Sequence, residues 1–460
     1  MKVVICGAGQ VGSIIARQLA NEGADVTVID EDVDQARKVA ENLDVTSVVG
    51  HAAHPAVLEK AGARDADLLI AVTRSDEVNM VACQVAYSLF NVKRRIARVR
   101  HNGYLAPIWK NLYASDQLPI DEIISPELEV ANGIMQRLKT PGAFDVVPLA
   151  EGRVQLLGIH CNSRACSAYG QSVRDLTRAD AGLSMVVLAI VRNGRAFIPK
   201  GDDLIERDDD VYIVTAPERT DAVMRALGHK ERIANRIVII GGGNVGLNLA
   251  EQVQARWPNA SLKLIEYGRS RAEFISRELG PSVVVLQGDA LEAAVLEDAN
   301  IGDAETVIAV TNDDETNVFA SVLAKRSGCP HAITLVNKTS YEPLMPALGI
   351  DVVVSPSTIT ISSILRHVRH KSVVGLYTLR EGFAEVIEAE AQPRSRLVSG
   401  PLREIGMPGG IRIAAVVRSG EVIMPTPDSR IEAGDRVVAL VASSAVAAAE
   451  TLLDVRARRR

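Results

Sequence analysis

A chain of 460 residues has room for three or four domains, and an apolar content of 47% supplies their cores. Aromatics make up only 3%, so Val, Ile, Leu and Ala must fill those cores, and no apolar run reaches the roughly 18 residues that span a bilayer. A formal net charge of −6 argues against general nucleic-acid binding, and an odd, scattered set of five cysteines argues for a reducing compartment rather than a disulfide framework.

The first predicted element is the apolar, β-branched run KVVIC (residues 2–6), long enough for a buried parallel strand. No signal-peptide pattern precedes it, so a soluble cytoplasmic protein is expected. Gly7, Gly9 and Gly12 follow in G-x-G-x-x-G spacing, and SIIARQLANEG (13–23) reads as an amphipathic helix ending at a C-cap glycine. This is the arrangement that lays a pyrophosphate on a helix N-terminus. Gly7 gives the tight turn, Gly9 the close approach of phosphate to backbone, and Gly12 the close packing of helix on strand. A second strand, DVTVID, delivers Asp30 to its carboxyl end, 21 residues past Gly9. A carboxylate there accepts from both ribose hydroxyls and repels a 2′-phosphate, so NAD is expected over NADP. His51 and His54, in GHAAHP, are expected to shape a loop and cap a helix.

Further along, AVTRSDEVNMVACQVA (71–86) reads as strand, turn and helix, RIARVR (95–100) as a strand, and the segment after the SP dipeptide as a helix over Glu127–Lys139. Beyond Thr140–Pro141–Gly142 the pattern changes to short strands such as VQLLGI, SMVVLAIV and VYIVTA with NG and DD turn signals, the mark of a small α+β module. In it, Cys161 and Cys166 are too isolated for a zinc site.

From about Asn235 the whole plan is written again. RIVII (236–240) leads to Gly241, Gly243 and Gly246, then a helix through LNLAEQVQ and a strand SLKLIE ending in Glu266. Glu266 does the work of Asp30 with a longer reach, and nearby Arg269 is expected to soften discrimination against NADP. AVTNDDETNVFASVLA (309–324) is identical to 71–86 at eight of sixteen positions, IDVVVSP matches IDEIISP, and VRSG with IEAGDRV matches VRNG with IERDDDV. A repeat of about 230 residues predicts a tandem α/β fold: a Rossmann-like doubly wound parallel sheet over 1–140, a small α+β lobe over 143–227, and the same pair over 236–370 and 373–455. The second junction falls near Lys371, and the last helix of the second sheet domain is expected over Ser357–His370. The tail RARRR (456–460) reads as a solvated end, with weak attraction to an anionic membrane face as the alternative.

The segments CGAGQVG, AVTRSDEVNMVACQVAYSLFN, RIARVR, GHAAHP and LAKRSG resemble the RCK or KTN family, nucleotide-binding regulators of potassium transport. The resemblance covers essentially the whole chain. It implies that Gly7, Ala8, Gly9, Gln10 and Val11 meet the phosphates of NAD(H), or of ATP or ADP, and that Asp30 meets the ribose. Thr73 and Arg74 would flank the nucleotide, and Arg98 would reach its phosphates while Arg100 faces away. The matching positions are Gly241, Gly242, Gly243, Asn244, Val245, Glu266, Thr311 and Asn312. Leu335 and Asn337 stand where Arg98 and Arg100 stand in the first copy, so the two sites are expected to differ. The resemblance also implies self-association into a ring and docking on a membrane-embedded potassium transporter subunit of the Trk type, from the cytoplasmic face, with no nucleic-acid partner. The alternative is an NAD-dependent oxidoreductase, which would need an acid–base constellation beside the nicotinamide. The sequence offers none, and neither catalytic nor metal-ligating residues are assigned.

Overall fold

The computed structural model describes residues 1–113, 117–162, 166–178, 184–368, 373–379 and 383–453. Lys371, the final two residues of the helix expected over Ser357–His370, and the RARRR tail lie outside them.

Residues 1–131 together with 355–368 form one compact unit. Its sheet is six-stranded and parallel, in the order β3-β2-β1-β4-β5-β6, from β1 (Lys2–Cys6), β2 (Asp25–Asp30), β3 (Thr46–Val49), β4 (Leu68–Ala71), β5 (Arg94–Arg98) and β6 (Glu122–Ile124). Ile5 pairs in register with Val28 on one side and Ile70 on the other. The central strands are buried on both faces, which is why they read as unbroken apolar runs rather than alternating ones. Strand order reverses at β1, so the crevice of the sheet opens at its carboxyl edge beside Gly7.

The helix Pro356–Val368 also belongs to this unit, although it comes from the second repeat. Gln10 donates to Ser357 Oγ at 3.3 Å and His367 pairs with Glu122 at 3.2 Å. Burial lowers the His367 pKa, against the opposing pull of Glu122.

Residues 132–354 with 369–460 form the second unit. It begins with an antiparallel sheet in the order β10-β9-β11-β8-β7, from β7 (Ala143–Leu149), β8 (Val154–Cys161), β9 (Met185–Arg192), β10 (Arg195–Phe197) and β11 (Asp209–Thr215). Asn193 and Gly194, both at positive φ, make the tight turn that NG announced. A second parallel sheet, β14-β13-β12-β15-β16-β17, uses β12 (Arg236–Ile240), β13 (Ser261–Glu266), β14 (Val283–Gln287), β15 (Thr306–Ala309), β16 (His331–Leu335) and β17 (Val352–Val354), in the topology of the first. Gln252, on its first helix, donates to Asn132 of the helix Pro126–Lys139 at 3.0 Å.

The last sheet is antiparallel, β18-β19-β22-β20-β21, from β18 (Val373–Leu379), β19 (Ala384–Glu390), β20 (Ile411–Arg418), β21 (Glu421–Ile423) and β22 (Arg436–Ala442). The two antiparallel sheets share one core, in which Leu156, Leu188 and Val214 pack with Val386, Ala415 and Leu440. Polar ties flank it. Glu388 accepts from the Ala150 N–H at 2.7 Å, Arg412 donates to the Val187 carbonyl at 2.7 Å, and Tyr377 donates to Asp145. Asp145 is in turn held by Arg137 at 2.7 Å.

Candidate functional site

At the carboxyl edge of the first sheet, β1 runs into Gly7 with φ at 111°, a left-handed region that an L side chain rarely adopts. A Cβ on Gly12 would lie 1.9 Å from the Gly7 carbonyl oxygen, so helix and loop can approach this closely only with glycine there. Above Gly9 there is open space instead, with nothing within 4 Å of where a Cβ would stand. Gly9 is the N-cap of the helix Gln10–Asn21 and brings no side-chain cap to its first turn. The second copy repeats the loop geometry: Gly241 has φ 104°, a Cβ on Gly246 would lie 1.9 Å from the Gly241 oxygen, and a Cβ on Gly243 would meet nothing within 4 Å.

Asp30, at the end of β2, accepts from Ala8 N at 2.6 Å and from Asp32 N at 2.9 Å. Glu266 accepts from Gly242 N at 2.7 Å and from Gly268 N at 2.8 Å. Each carboxylate therefore braces its own glycine loop. An ionised carboxylate has about four lone-pair sites, so two remain for ribose hydroxyls.

Sequence reasoning missed the next layer. Asn79, fully buried, accepts from Thr73 N at 2.8 Å and Thr73 Oγ1 at 2.7 Å, and donates to the Thr73 and Arg98 carbonyls. Asn317 makes the same four bonds to Thr311 and Leu335. Asp76 accepts from the backbone of Arg100 and His101, and Asp314 from that of Asn337 and Lys338. One amide and one carboxylate on a single helix thus tie the ends of two strands together. The signal was present, since all four residues are identities between AVTRSDEVN and AVTNDDETN.

Arg98 is the last residue of β5, at the same edge as Gly7, Asp30 and Thr73. Its Nε is buried and has no hydrogen-bond partner. Burial, and next the like charge of Arg100, pull its pKa below the usual arginine value. Arg100 lies past the strand and pairs with Glu127 at 2.7 Å. Leu335, in the place of Arg98, is simply core. Gln10, Val11, Asn244 and Val245 open their helices, and Arg74 and Asn312 are exposed one residue past the two threonines. Arg269 turns out to pair with Glu273 in solvent, and it is Arg271 that reaches the second glycine loop. His54 precedes Pro55 as an N-cap without a side-chain bond, so the histidines shape the loop through their backbones, His54 N donating to the His51 carbonyl. Among the described residues no cluster of three His, Cys, Asp or Glu could hold a metal, all five cysteines are free, and no helix is long and apolar enough to cross a membrane.

Paired Rossmann-like sheets, each with a glycine loop at its switch point and each followed by an antiparallel module, define a tandem RCK fold. The crystal structure of the GsuK RCK domain matches it with a TM-score of 0.60 at 19% identity, covering 99% of this chain and 95% of that one. The GsuK channel bound to NAD matches with a TM-score of 0.60 at 18% identity, over 99% of this chain and 79% of that one. In sequence, the TrkA-N domain family matches residues 3–126 and 237–356 and the TrkA-C domain family matches 166–228 and 386–454. The Trk system potassium uptake protein TrkA of Azorhizobium caulinodans is 43% identical over 455 residues, covering 99% of both chains. That of Halomonas elongata is 41% identical over 444 residues, covering 96% of both.

The chain belongs to the TrkA family of Trk-system potassium uptake proteins.

Proposed function

We propose that this chain is a cytoplasmic regulatory subunit that gates a membrane-embedded potassium-uptake transporter of the Trk type, reading NAD(H), ATP or ADP at two unequal crevices. The observation that carries this reading is Arg98. A buried guanidinium nitrogen without a partner is costly, and at the carboxyl edge of the sheet the natural occupant is a phosphate oxygen. Gly7–Gly12, Asp30, Thr73 and Arg74 are its proposed companions, and Gly241–Gly246, Glu266, Thr311 and Asn312 form the second site. The solved GsuK channel bound to NAD supports NAD as a ligand of this fold.

Each proposed nucleotide lobe also exposes large apolar side chains, Leu89, Ile108 and Trp109 in the first and Phe319 and Leu344 in the second. Such surfaces favour association with further copies, in keeping with a ring. A nucleotide with different affinity for two ring shapes would shift the ring between them, and a coupling of about 1–3 kcal/mol suffices to bias a gate. The test is potassium flux through the membrane subunit in vesicles, with this chain on the cytoplasmic side, titrated with NADH and ATP. Nucleotide-dependent flux lost in Arg98→Ala is expected. Flux indifferent to both nucleotides would refute the reading.

A further inference from the structure

The two crevices differ most at the corner where the ribose would lie. Residues 30–37 (DEDVDQAR) carry four carboxylates and one arginine, a net −3, whereas the matching residues 266–273 (EYGRSRAE) carry two of each, a net 0. In the first copy Asp32 caps the following helix, its side chain accepting from the backbone of Asp34 and Gln35, so its charge is fixed beside Asp30. A phosphate on the ribose 2′ position would face this cluster of acids.

In the second copy the cap is Gly268, with no side chain and no acid in the first turn behind it. Arg271 stands where the first copy has Gln35. Its Nε donates to the Gly242 carbonyl in the middle of the glycine loop at 2.7 Å, and its guanidinium lies 5.0 Å over the Phe274 ring. That bond engages one of five donors in the fork. The guanidinium is therefore held at the loop that Glu266 braces from its other end through Gly242 N. Glu266 spends one oxygen on each of two backbone N–H groups, and the positive charge of Arg271 offsets the negative charge that would otherwise turn a phosphate away.

We propose that Arg271 sets the ligand choice of the second crevice, admitting an adenine dinucleotide that carries a 2′-phosphate, of the NADPH class, which the first crevice rejects. This rests on reading both crevices as nucleotide sites. Arg271 would swing its free donors onto the 2′-phosphate, as a charged bidentate fork does.

Calorimetric titration of the full chain with NADH and with NADPH tests it. NADH is expected to fill both crevices and NADPH only the second. Arg271→Gln, which installs the residue of the first copy, should weaken NADPH about tenfold or more, as loss of a charged hydrogen bond does, with NADH little changed. Gly243→Asp places a carboxylate in the open space above the loop, at a φ of −63° that any residue adopts. It should abolish NADPH binding and leave NADH at the first crevice. NADH filling both crevices with NADPH filling neither would overturn the proposal alone, as would NADPH affinity unmoved by Arg271→Gln or retained in Gly243→Asp. Binding of neither dinucleotide would overturn the nucleotide reading and this proposal with it.

Discussion

The two crevices of this chain are one scaffold fitted with two sets of side chains. Their bracing bonds agree closely: Ala8 N to Asp30 at 2.6 Å against Gly242 N to Glu266 at 2.7 Å, and Thr73 N to Asn79 and Thr311 N to Asn317 both at 2.8 Å. The side chains set into that scaffold do not agree. Arg98 is matched by Leu335, Gln35 by Arg271, and a run of acids by a balanced segment. Backbone groups that must be satisfied hold the scaffold constant, while the side chains at these positions carry no such duty and are free to diverge.

The largest expected effect tests the shared part. Gly12→Val and Gly246→Val each force a side chain against a carbonyl oxygen 1.9 Å away, beyond the usual 1–3 kcal/mol or so of overpacking. Both should lower the thermal midpoint sharply and to similar extents, while Gly9→Ala and Gly243→Ala should leave it unchanged. A scaffold intolerant in one copy only would break the comparison.

Next comes the position where the copies part. Leu335→Ala should cost the fold about 2–5 kcal/mol, the range for a buried leucine, seen as a lower denaturation midpoint. Arg98→Ala should cost the free protein little or stabilise it, because it removes a buried, unpartnered Nε that crowds Arg100. Arg98→Ala should instead weaken nucleotide binding at the first crevice by about 1.5–3 kcal/mol, the worth of a charged hydrogen bond, more for ATP than for NADH. Calorimetry checks both signs. Stability lost at Arg98 with affinity intact would make it a structural residue.

The smallest effect lies behind the second crevice. Lys338, and after it Tyr341, hold Glu315 down from 4.5 to about 2. In the first copy the counterpart Glu77 is lowered mainly by its own backbone and by Ser75. A depressed carboxylate contributes stability above its unfolded value and loses it as pH falls toward the folded one. The window for Glu315 is therefore pH 4.5 down to about 2. Glu315 is exposed, so the contribution is small. Thermal midpoints across that window should fall slightly less steeply in Glu315→Gln than in the unaltered chain. An unchanged slope would remove this pair from the differences between the copies.

Local rules made much of this molecule readable from the sequence. Apolar runs bounded by glycines specify buried parallel strands. Glycine spacing specifies the loop, and the next strand is seen to end in an acid, because each depends on neighbours within a single β-α-β unit; that this acid braces the loop came from the structure. The repeat was readable for the same reason, since a unit written twice needs no tertiary contact to be recognised.

What the tertiary structure decided lies between residues far apart in the chain. The pattern after the SP dipeptide announces a helix, but not that Pro356–Val368 would pack beside Gln10 in the first unit. The short strands announce small modules, but not that their two sheets would close on one core, with Tyr377 on Asp145. Two arginines two positions apart look alike in sequence, yet only the fold set Arg269 in solvent and Arg271 on the Gly242 carbonyl. Periodicity fixes which face of an element is apolar. It carries no information about which distant surface that face, or a long charged side chain beside it, will meet.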